Sequence, residues 1–327
     1  MPAPEDIVVV IGESLVDIIS DPRQPEQPQV HPGGSPLNVA VGAARLGLHT
    51  TLVTDFAADG HGLMIGEHLR SNGVHVVNGG SSATSSALAT LGPDGGADYT
   101  FAIAWDISTA SLPALAAIRD STHVHTGSIA TVLPPGDKAT LDLVRAAGGH
   151  ATISYDPNCR PAISPDAAAA RRQAERFVAA SDVVKASEED LRWLYPDQNP
   201  EETLAVWLGL GPAIVALTRG ASGPVILSRH GRVDMAAEPT AVADTVGAGD
   251  SYMAALVSGL SQLGALGAGG RPRLDGVTLA ELRAVAAYAN RAAAVTCSRP
   301  GANLPGKDEL GPLAISSTAR GSARGQE

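Results

Sequence analysis

Near its start the chain carries five consecutive β-branched residues, Ile7-Val8-Val9-Val10-Ile11. A strand with one wet face alternates apolar and polar residues, whereas an unbroken apolar run fits a parallel strand covered on both faces. The run therefore points to an α/β sheet. It ends at Gly12-Glu13-Ser14-Leu15-Val16-Asp17. An acid thus stands just past the carboxyl end of a strand, the edge where open α/β sheets bind ligands.

The following chain keeps that alternation. Residues 20–32, rich in Pro, Gln and Asp, read as a loop leaving the sheet. Gly33-Gly34-Ser35-Pro36-Leu37-Asn38 then opens a helix: Ser35 suits the cap, Pro36 the first helical position and Gly47 the stop. Asn38 falls in the first turn, either as a second capping group or facing a ligand at that end. A strand over Thr50–Thr54, a helix over His61–Ser71 and a strand over Val74–Val77 come next. Ser86–Leu91 and Tyr99–Ala104 flank Pro93-Asp94-Gly95-Gly96 and read as a hairpin without a crossover helix. Such a hairpin suggests a small sheet projecting as a lid, with the segment around 14–34 able to supply its other strands.

From about residue 120 the alternation resumes. Strands are expected at 123–125, 151–155, 182–185, 213–217, 224–227 and 232–235. Helices are expected at 135–147, 166–180, 188–195 and 200–209, with a last one over 279–297. Residues 264–277, Gly-rich with one Pro, read as a flexible loop, and the small, polar tail from Ser316 as disordered.

Between the last strand and the last helix lies Asp244-Thr245-Val246-Gly247-Ala248-Gly249-Asp250-Ser251-Tyr252. Met253, Leu256, Val257, Leu260 and Leu263 follow at helical spacing, so Gly247–Gly249 sit where a helix begins. Backbone N–H groups there lack partners inside the helix, and the helix dipole adds positive potential, which makes a socket for an anion such as phosphate. Glycines let the anion approach those amides. Asp250 beside the socket reads either as an ordinary helix-start acid or as a base for a hydroxyl that attacks phosphorus.

The 327 residues suggest about two domains, or one large α/β domain with an appendage. With 44% hydrophobic but only 3% aromatic residues, the core must be built from Ala, Val, Leu and Ile. A net charge of −11 argues against nucleic acid or an anionic membrane as partner, though not against phosphate ligands. Cys159 and Cys297 are too few for a disulfide framework and read as small buried hydrophobes. The start lacks a basic signal region, and no apolar stretch reaches membrane-spanning length. The expectation is a soluble cytoplasmic protein.

Strand ends thus deliver Asp17, Asn158, Arg160, Lys185, Glu188, Thr218, Gly220 and the Gly247–Asp250 turn, the pattern of an α/β active site. There is no G-x-x-x-x-G-K-S/T and no G-x-G-x-x-G after the first strand, which excludes a P-loop and leaves dinucleotide binding poorly supported. Gly33-Gly34-Ser35-Pro36-Leu37-Asn38 with its helix, however, resembles the first signature of the PfkB (ribokinase-type) sugar kinases. Asp244-Thr245-Val246-Gly247-Ala248-Gly249-Asp250 resembles the second. The resemblance runs from Ile7 to about Pro305. It implies a ribokinase-like three-layer α/β core with a mostly parallel central sheet and a small β-sheet lid. The core would take 1–13, 38–84 and 107–315, the lid 14–37 and 85–106, and the disordered tail 316–327.

The resemblance also implies ATP-dependent phosphorylation of a sugar hydroxyl. Asp250 would be the base, and the amides of Gly247, Ala248 and Gly249 would stabilise the transferring group. Asp17, Gly33, Gly34 and Asn38 would hold the sugar. Thr218, Gly220 and Gly223 would line the nucleotide, with Asn290 near the base. Glu188 matches the acid of the family's Asn-x-x-Glu element, which organises Mg2+ through water, but Lys185 stands where its Asn would be. Lys185 is then either a cation near the phosphates or a partly exposed strand-end lysine. Many members use a monovalent cation such as K+ beside the anion socket, for which Asp244, the Val246 carbonyl and segment 296–303 are candidates.

Gly33-Gly34-Ser35-Pro36 offers no cation to neutralise a phosphorylated sugar, which favours an uncharged one. Asp156-Pro157-Asn158-Cys159-Arg160, Ala97-Asp98-Tyr99-Thr100-Phe101 and Arg299-Pro300-Gly301-Ala302 resemble the fructokinase branch most. Arg160 could contact either the transferring phosphoryl group or a substrate carboxylate, and the second keeps 2-keto-3-deoxygluconate open beside fructose and ribose; a non-catalytic sugar-binding protein is the reading from another class. Trp105 and Phe101 read either as sugar contacts or as lid core. The exposed face and edges of a lid sheet would suit a homodimer.

Overall fold

A computed structural model of the protein describes residues 6–20, 28–81, 83–91 and 97–315. The elements are β1 (Ile7–Ile11), β2 (Leu15–Ser20), β3 (Gln29–Gly33), α1 (Ser35–Arg45), β4 (His49–Thr54), α2 (Gly60–Ser71) and β5 (His75–Asn78). Next come β6 (Ser85–Leu91), β7 (Ala97–Ala102), α3 (Ser111–Arg119), β8 (His123–Gly127), α4 (Gly136–Ala147), β9 (Thr152–Asp156) and α5 (Ala167–Ala179). They are followed by β10 (Val183–Ser187), α6 (Glu188–Leu194), α7 (Pro200–Leu208), β11 (Ile214–Thr218), β12 (Val225–Ser228) and β13 (Gly231–Asp234). Helices α8 (Ala248–Gln262), α9 (Gly267–Asp275) and α10 (Leu279–Cys297) complete the core.

Nine strands form the central sheet in the order β13-β12-β11-β10-β9-β8-β1-β4-β5. It is parallel except for β12 and β13, whose hairpin links are too short for a crossover. Burial of β1 is two-sided, as its sequence predicts. Val8 and Val10 pack into the layer of α1, α2, α8 and α10, while Val9 and Ile11 pack into the layer of α3 to α7. The sheet order reverses between β1 and β8, the kind of switch point that opens a crevice at the carboxyl ends of the strands.

A second sheet, β3-β2-β6-β7, pairs β2 with β6 in parallel and closes antiparallel at both sides. The 14–34 segment does supply two of its strands. The loop expected at 20–32 is instead partly strand: β3 occupies Gln29–Gly33 and tolerates Pro32 because it is an edge strand. The Pro93–Gly96 turn and the tail from 316 lie outside the described residues.

Two further expectations change. Residues 264–277 are not a loop, because α9 spans most of them. Tertiary contacts override their poor propensity: Arg271 binds Asp182 and the Ala151 carbonyl, Ala268 N donates to His150 O, and Leu274 is buried. Helix α3 lies in a stretch with no strong sequence pattern, held by buried Ala114 and Ile118. Trp105 belongs to the core rather than the lid; it is 1% exposed in the α3–α4 layer, and its Nε1 donates to Thr140. Phe101 lies in β7 with its side chain exposed. Among the described residues no helix is long and apolar enough to cross a membrane.

Candidate active site

The glycine-rich turn enters α8 through Gly247, whose φ of 76° is one that L side chains rarely adopt. A methyl group on Gly247 would also stand 2.7 Å from Ala302 Cβ. The turn is held from below by Asp244. Its Oδ1 accepts from Thr245 N (2.7 Å) and Val246 N (3.1 Å), and its Oδ2 accepts from Gly301 N (2.8 Å). These backbone donors keep the Asp244 carboxyl below its usual range, although burial opposes them.

Asp250 stands in the first turn of α8 and is 7% exposed. Both donors to its carboxylate come from α1. Ser35 Oγ donates to Oδ1 at 2.6 Å, and Asn38 Nδ2 donates to Oδ2 at 2.8 Å. Ser35 is therefore not a cap; Gly34, with φ 109°, occupies that position. The close approach of the two helices rests on Gly42, where a methyl group would meet Ala254 Cβ of α8 at 2.8 Å. A carboxylate has about four acceptor positions, so two donors leave room for a substrate hydroxyl. The two glycine motifs, far apart in sequence, form one site.

Around that carboxylate lies the end of β1 and the start of the lid. A side chain on Gly33 would collide with the Asp17 carboxylate, and one on Gly34 would come within 2.6 Å of Glu13 O. Burial raises the Asp17 carboxyl, opposed by Arg160 and by His31, its cross-strand neighbour. Glu13 is deeper, 2% exposed, and burial pushes it up to about 7 despite a hydrogen bond from Ala130 N (3.1 Å). Arg160 is exposed; its Nη1 binds the carbonyls of Asn158 and Cys159 and the Asn158 side chain, and its charge reaches both acids. Cys159 is only partly buried, as is Cys297.

Beyond Asp250, β9 and β10 end in a buried ion pair. Lys185 Nζ stands 2.6 Å from Asp156 Oδ2, with side chains 4% and 0% exposed. Lys185 is thus no exposed strand-end lysine. Burial works against its charge, but Asp156, Asp190 and Asp250 together hold its pKa above the ordinary value. Glu188 begins α6 and pairs with Arg192 at 3.0 Å on a more exposed side. The inward acid of this helix is Asp190, which accepts from Cys159 N, Ser187 N and Ser187 Oγ.

The remaining expected residues lie on other elements. Thr218 ends β11, with its hydroxyl 3.4 Å from Ala186 O; Gly220 and Gly223 bracket the next turn, and Gly223 abuts Met235 O. Asn290 of α10 donates to Ala236 O at 2.9 Å, anchoring the segment that leads to the anion turn. Val246 is half exposed. The structure thus gathers Asp250, Asn38, Gly249 and Lys185 closely, while Thr218 and Asn290 bond to Ala186 O and Ala236 O. Sequence reasoning missed the roles of Ser35, Asp156 and Asp190. Asp190 had a local signal, the Ser187-x-x-Asp190 capping box.

A family model described as pfkB family carbohydrate kinase matches residues 6–309. The protein is a carbohydrate kinase. It belongs to the pfkB family, whose model spans both sheets. It is 30% identical to a fructokinase of Rhizobium leguminosarum bv. trifolii over 264 residues, 78% of this chain and 79% of that one. Its fold is also similar to the fructokinase from Vibrio cholerae O395 in fructose, ADP and calcium ion bound form. That likeness has a TM-score of 0.75 and 25% identity, covering 93% of this chain and 97% of that one. An uncharacterized sugar kinase from Pyrococcus horikoshii in complex with ATP gives the same TM-score and identity, covering 92% and 96%.

Proposed function

We propose that this kinase transfers the γ-phosphoryl group of ATP to a hydroxyl of a free sugar, with fructose as the preferred acceptor. One observation carries the mechanism: Asp250 follows the Gly247–Gly249 turn in the first turn of α8, and Ser35 and Asn38 fix its carboxylate. Asp250 takes the proton of the attacking hydroxyl. The Gly247, Ala248 and Gly249 amides receive the charge that develops on the transferring group. Asp17, Gly33, Gly34, Asn38 and Arg160 surround the sugar, while Thr218, Gly220, Gly223 and Asn290 line the nucleotide. The sheet holding β2, β3, β6 and β7 covers the sugar as a lid.

Among the described residues no group of three or more His, Cys, Asp or Glu side chains could enclose a metal ion. That donor set fits Mg2+ held mainly by nucleotide phosphates and water, with Asp190 and Glu188 as the nearby acids. Bound magnesium would neutralise phosphate charge. The Asp244 carboxylate already clamps three amides, so backbone carbonyls such as that of Val246 would carry a monovalent cation. A potassium ion in a Vibrio cholerae fructokinase double mutant, also bound to fructose and ADP, supports such a site.

Asp17, packed against Gly33 of the first glycine motif, suits a polyol better than an anion. Arg160 beside it keeps 2-keto-3-deoxygluconate as the second reading. A coupled assay of ADP release over fructose, ribose, 2-keto-3-deoxygluconate and adenosine decides. Highest kcat/KM with fructose is expected, a preference for the keto-acid would select the second reading, and no turnover with any acceptor would sink the proposal.

A further inference from the structure

Lys185 is the basic side chain buried within the site, and its surroundings leave most of its hydrogen-bonding capacity unused. An ammonium has three N–H donors. Among the described residues Asp156 is the only hydrogen-bond acceptor that Lys185 Nζ meets, at 2.6 Å. The other donors sit in a place where the side chain is only 4% exposed, and unmet donors at such depth are costly unless a ligand takes them. The direction they serve is set by Gly249. A methyl group built there would stand 3.0 Å from Lys185 Nζ, so the ammonium lies beside the first turn of α8, next to the glycine turn that forms the anion socket. Asp156, fully buried on β9, holds the lysine in place.

We infer that Lys185 is a catalytic residue, a permanent cation that donates to a non-bridging oxygen of the transferring phosphoryl group alongside the Gly247–Gly249 amides. The inference rests on the kinase reading above. In the step it serves, a bond forms between the acceptor oxygen and the γ-phosphorus while the bond to the β,γ-bridging oxygen breaks. The hydroxyl proton passes to Asp250, the bond pair leaves with ADP, and Lys185 stays protonated throughout. A fixed charge of this kind is worth most where negative charge concentrates and water is excluded.

Removing Lys185 alone strands the Asp156 charge and endangers folding, so the test uses Lys185→Met together with Lys185→Met/Asp156→Leu, which removes both charges. Thermal unfolding first checks that the double variant is folded. With fructose, or whichever acceptor the panel selects, kcat of the double variant should fall about 10²-fold, with the sugar KM within about twofold. Calorimetric titration should show ADP with magnesium and aluminium fluoride, a mimic of the transferring group, binding about 10²-fold more weakly, and ADP alone unchanged. A purely structural lysine predicts the opposite: neutralising both partners restores both readouts to within about threefold of wild type, which would overturn the inference. If wild type phosphorylates no acceptor, the kinase reading falls, and the aluminium fluoride titration alone decides whether Lys185 meets the phosphoryl mimic.

Discussion

Glu13 is a buried carboxyl that the proposed chemistry does not use, and it makes a sharp prediction about stability. Its folded pKa stands at about 7 against an ordinary 4.5, with burial as the main cause. A carboxyl that holds its proton more tightly when folded contributes its stability below about 4.5 and loses it as pH rises through about 7. At about 1.4 kcal/mol per tenfold in proton affinity, the whole effect is about 3 kcal/mol. Glu13→Gln keeps an oxygen for the hydrogen bond from Ala130 N and abolishes the titration. Urea unfolding of both proteins at pH 4.5, 6, 7 and 8.5 measures the difference, in which the other titrating groups cancel. The variant should gain about 3 kcal/mol on wild type between the two ends of that series. A difference that stays flat with pH would refute the reasoning.

Other sites give simpler expectations. Gly42→Val, which wedges α1 from α8 and so parts Ser35 and Asn38 from Asp250, should cost about 1–3 kcal/mol in chemical unfolding and lower kcat with it. Asp244→Ala frees two amides of the anion turn and that of Gly301 beneath it; steady-state kinetics should show kcat roughly tenfold lower with the sugar KM little changed.

Much of the fold could be read locally. The β-branched run of β1 announced burial on both faces, and the glycine turn before α8 announced an anion socket. Both depend only on neighbours in sequence. What stayed hidden depends on distant partners. Ser35 looks like a cap, and only the packing of α1 on α8 reveals its bond to a residue 215 positions away. For Lys185 the sequence leaves both a phosphate-side cation and a partly exposed strand end open, and only its pairing with Asp156 of the adjacent strand shows that it is buried. Helix α9 was obscured by Gly and Pro, because its stability comes from Arg271 reaching Asp182 rather than from its own propensity. Asp190 read as one acid among three in a row; its inward side chain is a consequence of the capping box that turns Glu188 outward.

The central claim is that Asp250 deprotonates the acceptor. Asp250→Asn removes the basic oxygen while keeping shape and an acceptor for one of the two donors from α1. Rapid-quench single turnover with the preferred sugar, together with calorimetric binding of ATP, tests it directly. The account predicts a chemical step slower by about 10²–10⁴-fold with ATP affinity within about twofold of wild type; a rate within a few-fold of wild type would contradict it.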